Sequence, residues 1–301
     1  MSDYSMGSVS CQWMRLKRAN VRLAHALRRL GDRRWGIVLQ CASQVRVRYC
    51  PSCGRAHAQG ANCCRHRLCP VCQVRRSRKL AHQAIAAAQW LAAEGRLDGV
   101  HMGLITLTQR NVPADLLPGM IDSMLAALTR MRHQRAVRRY LVGSARNIEI
   151  TYNQQAGTYH PHVHLIVMLA PGAPDDMLTS AYWRGLWGDL MALDYDPICD
   201  ARELRDRDKA VCEVSKYVCK ALQILESLPE DLLPQVVASL NAALTGRRLV
   251  AYTGIWAEAR RVLKQRDDED SDSDDDKDIC GCGAALADAV MIWDGNEYRL
   301  A

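Results

Sequence analysis

The stretch YHPHVHLIV, residues 159–167, sets His160, His162 and His164 at every second position and follows them with apolar residues. On a β-strand successive side chains point to opposite faces, so the three imidazoles share one face while Val163, Leu165 and Val167 fill the other. Neutral imidazole is a common ligand for divalent metals, and two or three from one rigid strand converge on a single ion or on phosphate. A lone histidine on such a strand reads as polar lining; three in register make that the weaker reading. A second constellation, CEVSKYVCK at 212–220, places Glu213, Tyr217 and Lys220 on one helical face, four and three residues apart. That spacing alone is ordinary for a solvated helix. Joined to the histidine row, it supplies the parts of a metal-dependent strand-cleaving enzyme. Tyr217 would be the phenol that attacks phosphorus, Lys220 would orient phosphate or favour phenolate, and Glu213 would be a general base for water.

The cysteines carry a separate chemistry. CPSC at 50–53 and CPVC at 69–72 are C-x2-C knuckles separated by fifteen residues, the spacing of a structural zinc ribbon. Cys64 lies between them, so four thiolates drawn from Cys50, Cys53, Cys64, Cys69 and Cys72 are expected to hold Zn. QVRRSRKL follows directly and opens a helix with Arg75, Arg76, Arg78 and Lys79, four cations suited to DNA phosphates. Eight of the thirteen cysteines fall in the first 72 residues, which argues for metal ligation over disulfides in a reducing compartment. Residues 1–80 contain only two acids, Asp3 and Asp32, within a chain of formal charge +7, whereas 267–278 is nearly continuous acid. A basic block of that density implies a nucleic-acid partner and salt-dependent binding. No apolar run reaches membrane length and no signal peptide precedes the first helix, so a cytoplasmic protein without membrane contact is expected. The chain contains no phenylalanine, and nothing in the sequence accounts for that.

The elements that must position these groups follow from periodicity. An amphipathic basic helix is expected over 14–30, with Leu16, Leu23, Leu27 and Leu30 on one stripe and Gly31 ending it, and a second helix over 75–93 ending at Gly95. A strand at 100–108 and a helix at 115–133 come next. Strands at 145–152 and 159–169 flank NQQAGT, which places the histidine row in an antiparallel hairpin. A helix at 175–191, a strand at 198–204 and helices at 208–225 and 229–243 complete an α+β order, a central antiparallel sheet with helices on one face. The expected organisation is a basic helix and zinc module at 1–98, a catalytic domain with a helical extension at 99–266, an acidic disordered linker at 267–279 and a small C-terminal module at 280–301.

Four blocks taken together resemble a known family, the rolling-circle replication initiators of small bacterial plasmids within the HUH endonucleases. They are ITLT at 105–108, YHPHVHLIV at 159–167, EVSKYVCK at 213–220 and CRHRLCPVCQVRRSRK at 64–79, with GRRLVAYTGIWAE at 246–258 similar to the family's C-terminal segment. The resemblance implies a ferredoxin-like palm, a catalytic Mg or Mn ion on His162 and His164, Tyr217 as nucleophile, and Glu213 as the residue that lets termination use water. It also implies nicking of one strand at a plasmid origin, presented as a hairpin or single strand. Host helicase and DNA polymerase are expected partners, since no GxxxxGK[ST] loop for ATP occurs. For the third ligand, a hairpin turn centred near Gln155 and Ala156 would set Glu149 opposite His162, with His160 as the rival; a hard carboxylate oxygen suits Mg or Mn better than a third imidazole. Three alternatives stand beside this reading: a transposase or relaxase of the same superfamily, a histidine-triad nucleotide hydrolase, whose pattern HPHVHLI also satisfies, and a non-enzymatic zinc-ribbon DNA-binding protein.

Overall fold

The computed structural model describes residues 4–204, 220–269 and 279–301. In chain order its elements are β1 (Tyr4–Ser5), α1 (Met6–Arg29), α2 (Trp35–Gln40), β2 (Gln44–Tyr49), β3 (Arg55–Ala61), α3 (Pro70–Ala93), β4 (His101–Thr108), α4 (Leu117–Met131), α5 (Arg135–Tyr140), β5 (Leu141–Asn153), β6 (Thr158–Leu169), a 3-10 turn (Asp175–Leu178), α6 (Ser180–Met191), β7 (Cys199–Glu203), α7 (Lys220–Ser227), α8 (Leu233–Leu244), β8 (Ala251–Thr253), α9 (Gly254–Glu269), β9 (Ala287–Trp293) and β10 (Tyr298–Leu300). The chain is α+β, with two five-stranded antiparallel sheets among the described residues. It divides into two compact units, one drawn from 1–75, 221–238 and 271–301, the other from 76–220 and 239–270.

In the first unit the strand order is β1-β3-β2-β9-β10, so the last described strands of the chain pair with an early hairpin. The C-terminal hairpin does not stand apart: β9 pairs with β2 along its length, from Gln44↔Ile292 to Tyr49↔Ala287. Helix α1 buries Leu16, Leu23 and Leu27, whereas Leu30, expected on the same stripe, is 42% exposed. The helix stops at Arg29 and Gly31 takes a left-handed φ of 69°, which turns the chain before Leu30 can complete the stripe. The basic residues of this helix are partly internal. Lys17 is buried and donates to the carbonyls of Leu39 (2.5 Å) and Cys41 (2.8 Å), while Asn20 Nδ2 donates to Val38 O (2.5 Å), which also accepts from Cys41 N–H; together they tie α1 to the C-terminal end of α2. Arg22 donates to Leu225 O and Leu228 O, Arg29 donates to Glu230 O, and Arg15 pairs bidentately with Glu226, so α1 also fastens the end of α7.

In the second unit the order is β7-β4-β6-β5-β8. Strands β5 and β6 form the long hairpin expected around NQQAGT. Asn153 Oδ1 accepts from the backbone N–H of Gln155 (3.1 Å) and Ala156 (3.2 Å), and Gly157 supplies the left-handed φ of 63°. Helices meet both faces of this sheet, although one face was expected. On the face that carries the even-numbered residues of β6, Ile166 and Met168 join Met102, Leu104 and Ala145 in a core closed by Ala84, Ala87, Ala88 and Leu91 of α3 and Trp256 and Ala259 of α9. On the other face Gly103 abuts Leu178, and residues at the C-terminal end of α4 approach Arg146 and Leu165. The apolar half of the even face anchors the sheet, and the same face, followed toward the hairpin turn, becomes polar at His164 and His162. Helix α9 runs through Glu269, so the first three residues of the expected linker are helical; the rest of the acid run, 270–278, lies outside the described residues.

Candidate metal centres

The alternation read from YHPHVHLIV holds in the structure, and the register adds its partners. Glu149 of β5 and Thr108 of β4 lie opposite His162, and Asn147 and Thr106 lie opposite His164, all on one face of the sheet. The hairpin turn therefore sets Glu149 across from His162 as expected. Glu149 Oε2 lies 3.1 Å from His162 Nε2 and 3.1 Å from His164 Nε2, and all three side chains are buried. Their nearest donor atoms fall within 4.8 Å of one another.

The remaining ring nitrogens decide what this group can hold. His162 Nδ1 lies 3.3 Å from the His160 carbonyl oxygen, which only accepts, so Nδ1 points its proton there and Nε2 is the atom left facing Glu149. A cation shared by Nε2 and the carboxylate oxygen, a divalent metal or a proton on the ring, holds the two atoms at 3.1 Å. His164 Nδ1 lies 3.3 Å from Thr106 Oγ1, an outer contact of the kind that fixes ring orientation at metal sites. Two imidazoles and one carboxylate fit a divalent ion with open positions left for substrate. His160, the rival ligand, pairs with Thr151 and stacks against His162 with ring centroids 5.4 Å apart, but is not part of the converging group.

The five cysteines expected at one zinc site are divided. Cys64, Cys69 and Cys72 converge with Cys41, whereas Cys50 and Cys53 converge with Cys280 and Cys282. The physical reason is the β2–β3 hairpin: Cys50 and Cys53 stand at its tip, and Cys41 and Cys64 flank its base, so the strands hold the two C-x2-C knuckles apart. At the base Sγ–Sγ separations are 3.6 Å for Cys41–Cys69, 3.7 Å for Cys41–Cys72 and 3.7 Å for Cys64–Cys72. The backbone donates to this sulfur cluster, from Cys64 N to Cys41 Sγ (3.4 Å), Arg65 N to Cys72 Sγ (3.2 Å) and His66 N to Cys64 Sγ (3.4 Å). Hydrogen bonding, from Cys41 first, drives Cys64 and Cys72 toward thiolate, the ligand form. His66 beside them is buried, and burial followed by the Arg34 charge lowers its pKa to about 4. Four thiolates fit a tetrahedral zinc.

The other expected residues can be placed as follows. Arg75, Arg76, Arg78 and Lys79 are exposed on α3, directly after the cysteines at its start. Lys220 is the first residue of α7, and Tyr217 and Glu213 lie outside the described residues. Cys41 was missed because it stands alone, nine residues before the first knuckle. Asn147, whose buried Nδ2 has no hydrogen-bond partner among the described residues, was missed too; the alternation Asn147, Ile148, Glu149, Ile150 is its signal. On the opposite face, Arg132, Arg146 and Arg248 line a cleft of about 230 Å³ with Thr129, Ser144 and Thr253. Burial first, then the Arg132 and Arg248 charges, lower the Arg146 pKa, and its Nη1 is buried without a partner among the described residues. Three guanidinium groups around one cleft suit an anion.

The chain matches a family model described as "Replication protein" over residues 55–299. It is 31% identical over 254 residues to a "Protein rep" from Bacillus sp, covering 77% of this chain and 81% of that protein. To a "Protein rep" from Streptococcus pneumoniae it is 29% identical over 296 residues, covering 95% of this chain and 90% of the relative. A "Protein rep" from Lentilactobacillus hilgardii is 28% identical over 99% of this chain and 96% of its own length. No solved structure matches. Among the described residues no helix is long and apolar enough to cross a membrane.

Proposed function

From the premise that this chain belongs to the replication-protein family, we propose that it initiates rolling-circle replication by nicking one strand at a plasmid origin. The observation that carries the reading is the convergence of Glu149, His162 and His164 on one sheet face. These three would hold Mg or Mn, which supplies Lewis-acid charge to the scissile phosphate and to the departing oxygen. Thr106 and the His160 carbonyl keep the imidazoles turned toward that position. Tyr217 attacks phosphorus: the bond from its phenolic oxygen forms, the bond to the 3′ oxygen breaks, and the phenolic proton is replaced on the departing side by the proton of the new 3′ hydroxyl. Lys220 favours the phenolate and orients the phosphate. Host polymerase extends the 3′ hydroxyl behind a host helicase. At the end of a round Glu213 takes a proton from water, whose oxygen attacks the regenerated junction and frees a second 3′ hydroxyl. That hydroxyl displaces Tyr217 from its phosphodiester and closes the circle.

Zinc on Cys41, Cys64, Cys69 and Cys72 would fix the start of α3, and Arg75, Arg76, Arg78 and Lys79 would then meet DNA phosphates. The arginine cleft offers another place for a backbone phosphate. The test is incubation with labelled single-stranded oligonucleotides from the plasmid origin and Mn, followed by a denaturing gel. A covalent adduct is expected with the natural protein and none with Tyr217→Phe, while DNA binding stays. An adduct that persists in Tyr217→Phe, or cleavage that ignores EDTA, rules the reading out.

A further inference from the structure

The CGCG run at 280–283, beyond the acid stretch, has no part in nicking, yet the fold brings it back to the first cysteine knuckle. Cys282 Sγ lies 3.5 Å from Cys50 Sγ and Cys280 Sγ lies 3.6 Å from Cys53 Sγ. The backbone around this group repeats that of Cys41, Cys64, Cys69 and Cys72. At the base of the β2–β3 hairpin, Cys41 and Cys64 are each followed by a left-handed residue, Ala42 (φ 56°) and Arg65 (φ 59°); at the tip, Cys53 and Cys282 are followed by Gly54 (φ 69°) and Gly283 (φ 87°). A non-glycine residue in that region is strained, so its presence twice beside sulfur ligands marks a required geometry, which glycine meets without strain at the tip. The hydrogen bonds repeat as well. As Cys64 Sγ accepts from the backbone N–H two residues on, so do Cys53 Sγ from Arg55 and Cys280 Sγ from Cys282. Gly54 N donates to Cys50 O (2.9 Å) and Gly283 N to Cys280 O (2.8 Å), which closes each knuckle into a tight turn.

Charge supports a ligand rather than four neutral thiols. Arg55 Nε donates to Cys53 Sγ at 3.3 Å, and the Arg55 guanidinium would sit 3.4 Å from a side chain at Gly281, so the glycine leaves room for a cation against the sulfurs. A metal bound by four thiolates carries net negative charge, which such a cation offsets.

We propose that Cys50, Cys53, Cys280 and Cys282 bind a second zinc ion, which clasps the C-terminal hairpin to the tip of the β2–β3 hairpin. Along the chain the ligands then alternate, Cys41 to the base, Cys50 and Cys53 to the tip, Cys64, Cys69 and Cys72 to the base, Cys280 and Cys282 to the tip. This is a cross-braced pair of centres roughly 20 Å apart at strand rise. Pairing of β9 with β2, the Arg48–Asp288 ion pair at 2.9 Å and the Tyr298 hydroxyl on Ala42 O extend the clasp along the strand. The inference stands apart from the nicking reading, because none of these groups belongs to the Glu149, His162 and His164 cluster.

The test is zinc stoichiometry on the purified full chain, natural against Cys280→Ser/Cys282→Ser. The variant is expected to hold one equivalent less, and the Co(II)-loaded natural protein to lose about half its thiolate-to-cobalt absorbance in the variant. Against the chance that the variant folds badly, the natural protein is treated with iodoacetamide and mapped by mass spectrometry. Cys53 and Cys282, both exposed, should be protected until a chelator is added, whereas exposed Cys11, which joins no cysteine cluster, should react at once. Equal zinc in both proteins, labelling of Cys282 as fast as Cys11, or recovery of the four residues as disulfides would overturn the proposal.

Discussion

Thr106 sits one strand away from His164 and donates no ligand, yet its hydroxyl lies 3.3 Å from the ring nitrogen that faces away from Glu149. Replacing it with valine keeps the β-branched shape of a half-buried strand position and removes only that contact, so the ring gains freedom to rotate while the sheet stays intact. Thr106→Val is expected to weaken Mn binding about 10-fold to 100-fold, with nicking restored at high Mn. A metal titration of oligonucleotide cleavage reads this directly, and unchanged Mn dependence would place the hydroxyl outside the site's function. Glu149→Gln tests the other side of the same group. It removes the formal charge between two buried imidazoles while keeping the shape, and should lose Mn binding more severely than Thr106→Val, because hard cations bind neutral amide oxygen less well than carboxylate. The ITLT block thus has a physical reading: its two threonines face the two histidines across β4 and β6.

At the scale of elements, glycine shows how local geometry and packing separate. Gly157 and Gly254 both adopt left-handed φ, 63° and 59°. A side chain on Gly157 would meet nothing within 4 Å, but a Cβ on Gly254 would fall 2.0 Å from Val142 O, where β8 turns into α9 against β5. Gly157→Ala is therefore expected to cost about 1 kcal/mol, the left-handed penalty alone. Gly254→Ala should cost upward of about 3 kcal/mol, because the backbone of β5 has to move. Urea unfolding of the two variants separates these outcomes, and equal midpoints would contradict the close approach. The same division explains what the sequence made legible. The β5–β6 hairpin was readable because a period of two, a turn rich in Asn and Gly, and the length of NQQAGT together fix register, and register alone puts Glu149 opposite His162. Strands β2 and β3 were not read, although QVRVRY alternates, because its arginines merged with a block that looked uniformly basic. The β2–β9 pairing joins residues some 240 positions apart, and no local pattern encodes it. That is why two cysteine groups were read as one.

For the whole molecule, the two units differ in what can stabilise them. The second has a continuous apolar core in which Leu91, Leu104, Ile166, Met168 and Trp256 are all essentially inaccessible, and it contains none of the eight clustered cysteines. The first places its two four-cysteine groups at either end of one hairpin, and its basic helix adds polar contacts such as Lys17 to Leu39 O and Arg22 to Leu225 O to the burial of Leu16, Leu23 and Leu27. Metal on those two groups would add to that core, since a site that does not exist in the unfolded chain converts binding free energy into folding free energy, about 10–16 kcal/mol for structural zinc in small domains at neutral pH. Stripping zinc with a strong chelator should therefore unfold the first unit well before the second. Hydrogen exchange read by mass spectrometry gives the two together: amides of β2, β3 and β9 should lose protection when metal is removed, and those of β4, β5 and β6 should keep theirs. Because Arg75, Arg76, Arg78 and Lys79 follow Cys72 on α3, the stripped protein should also lose affinity for duplex DNA and bind with a shallower salt dependence, each lost phosphate contact removing about 0.9 from the slope of log K against log salt. Uniform loss of protection across both sheets would mean that the metal stabilises the chain as one cooperative body, and full protection throughout would mean that the cysteines contribute packing alone.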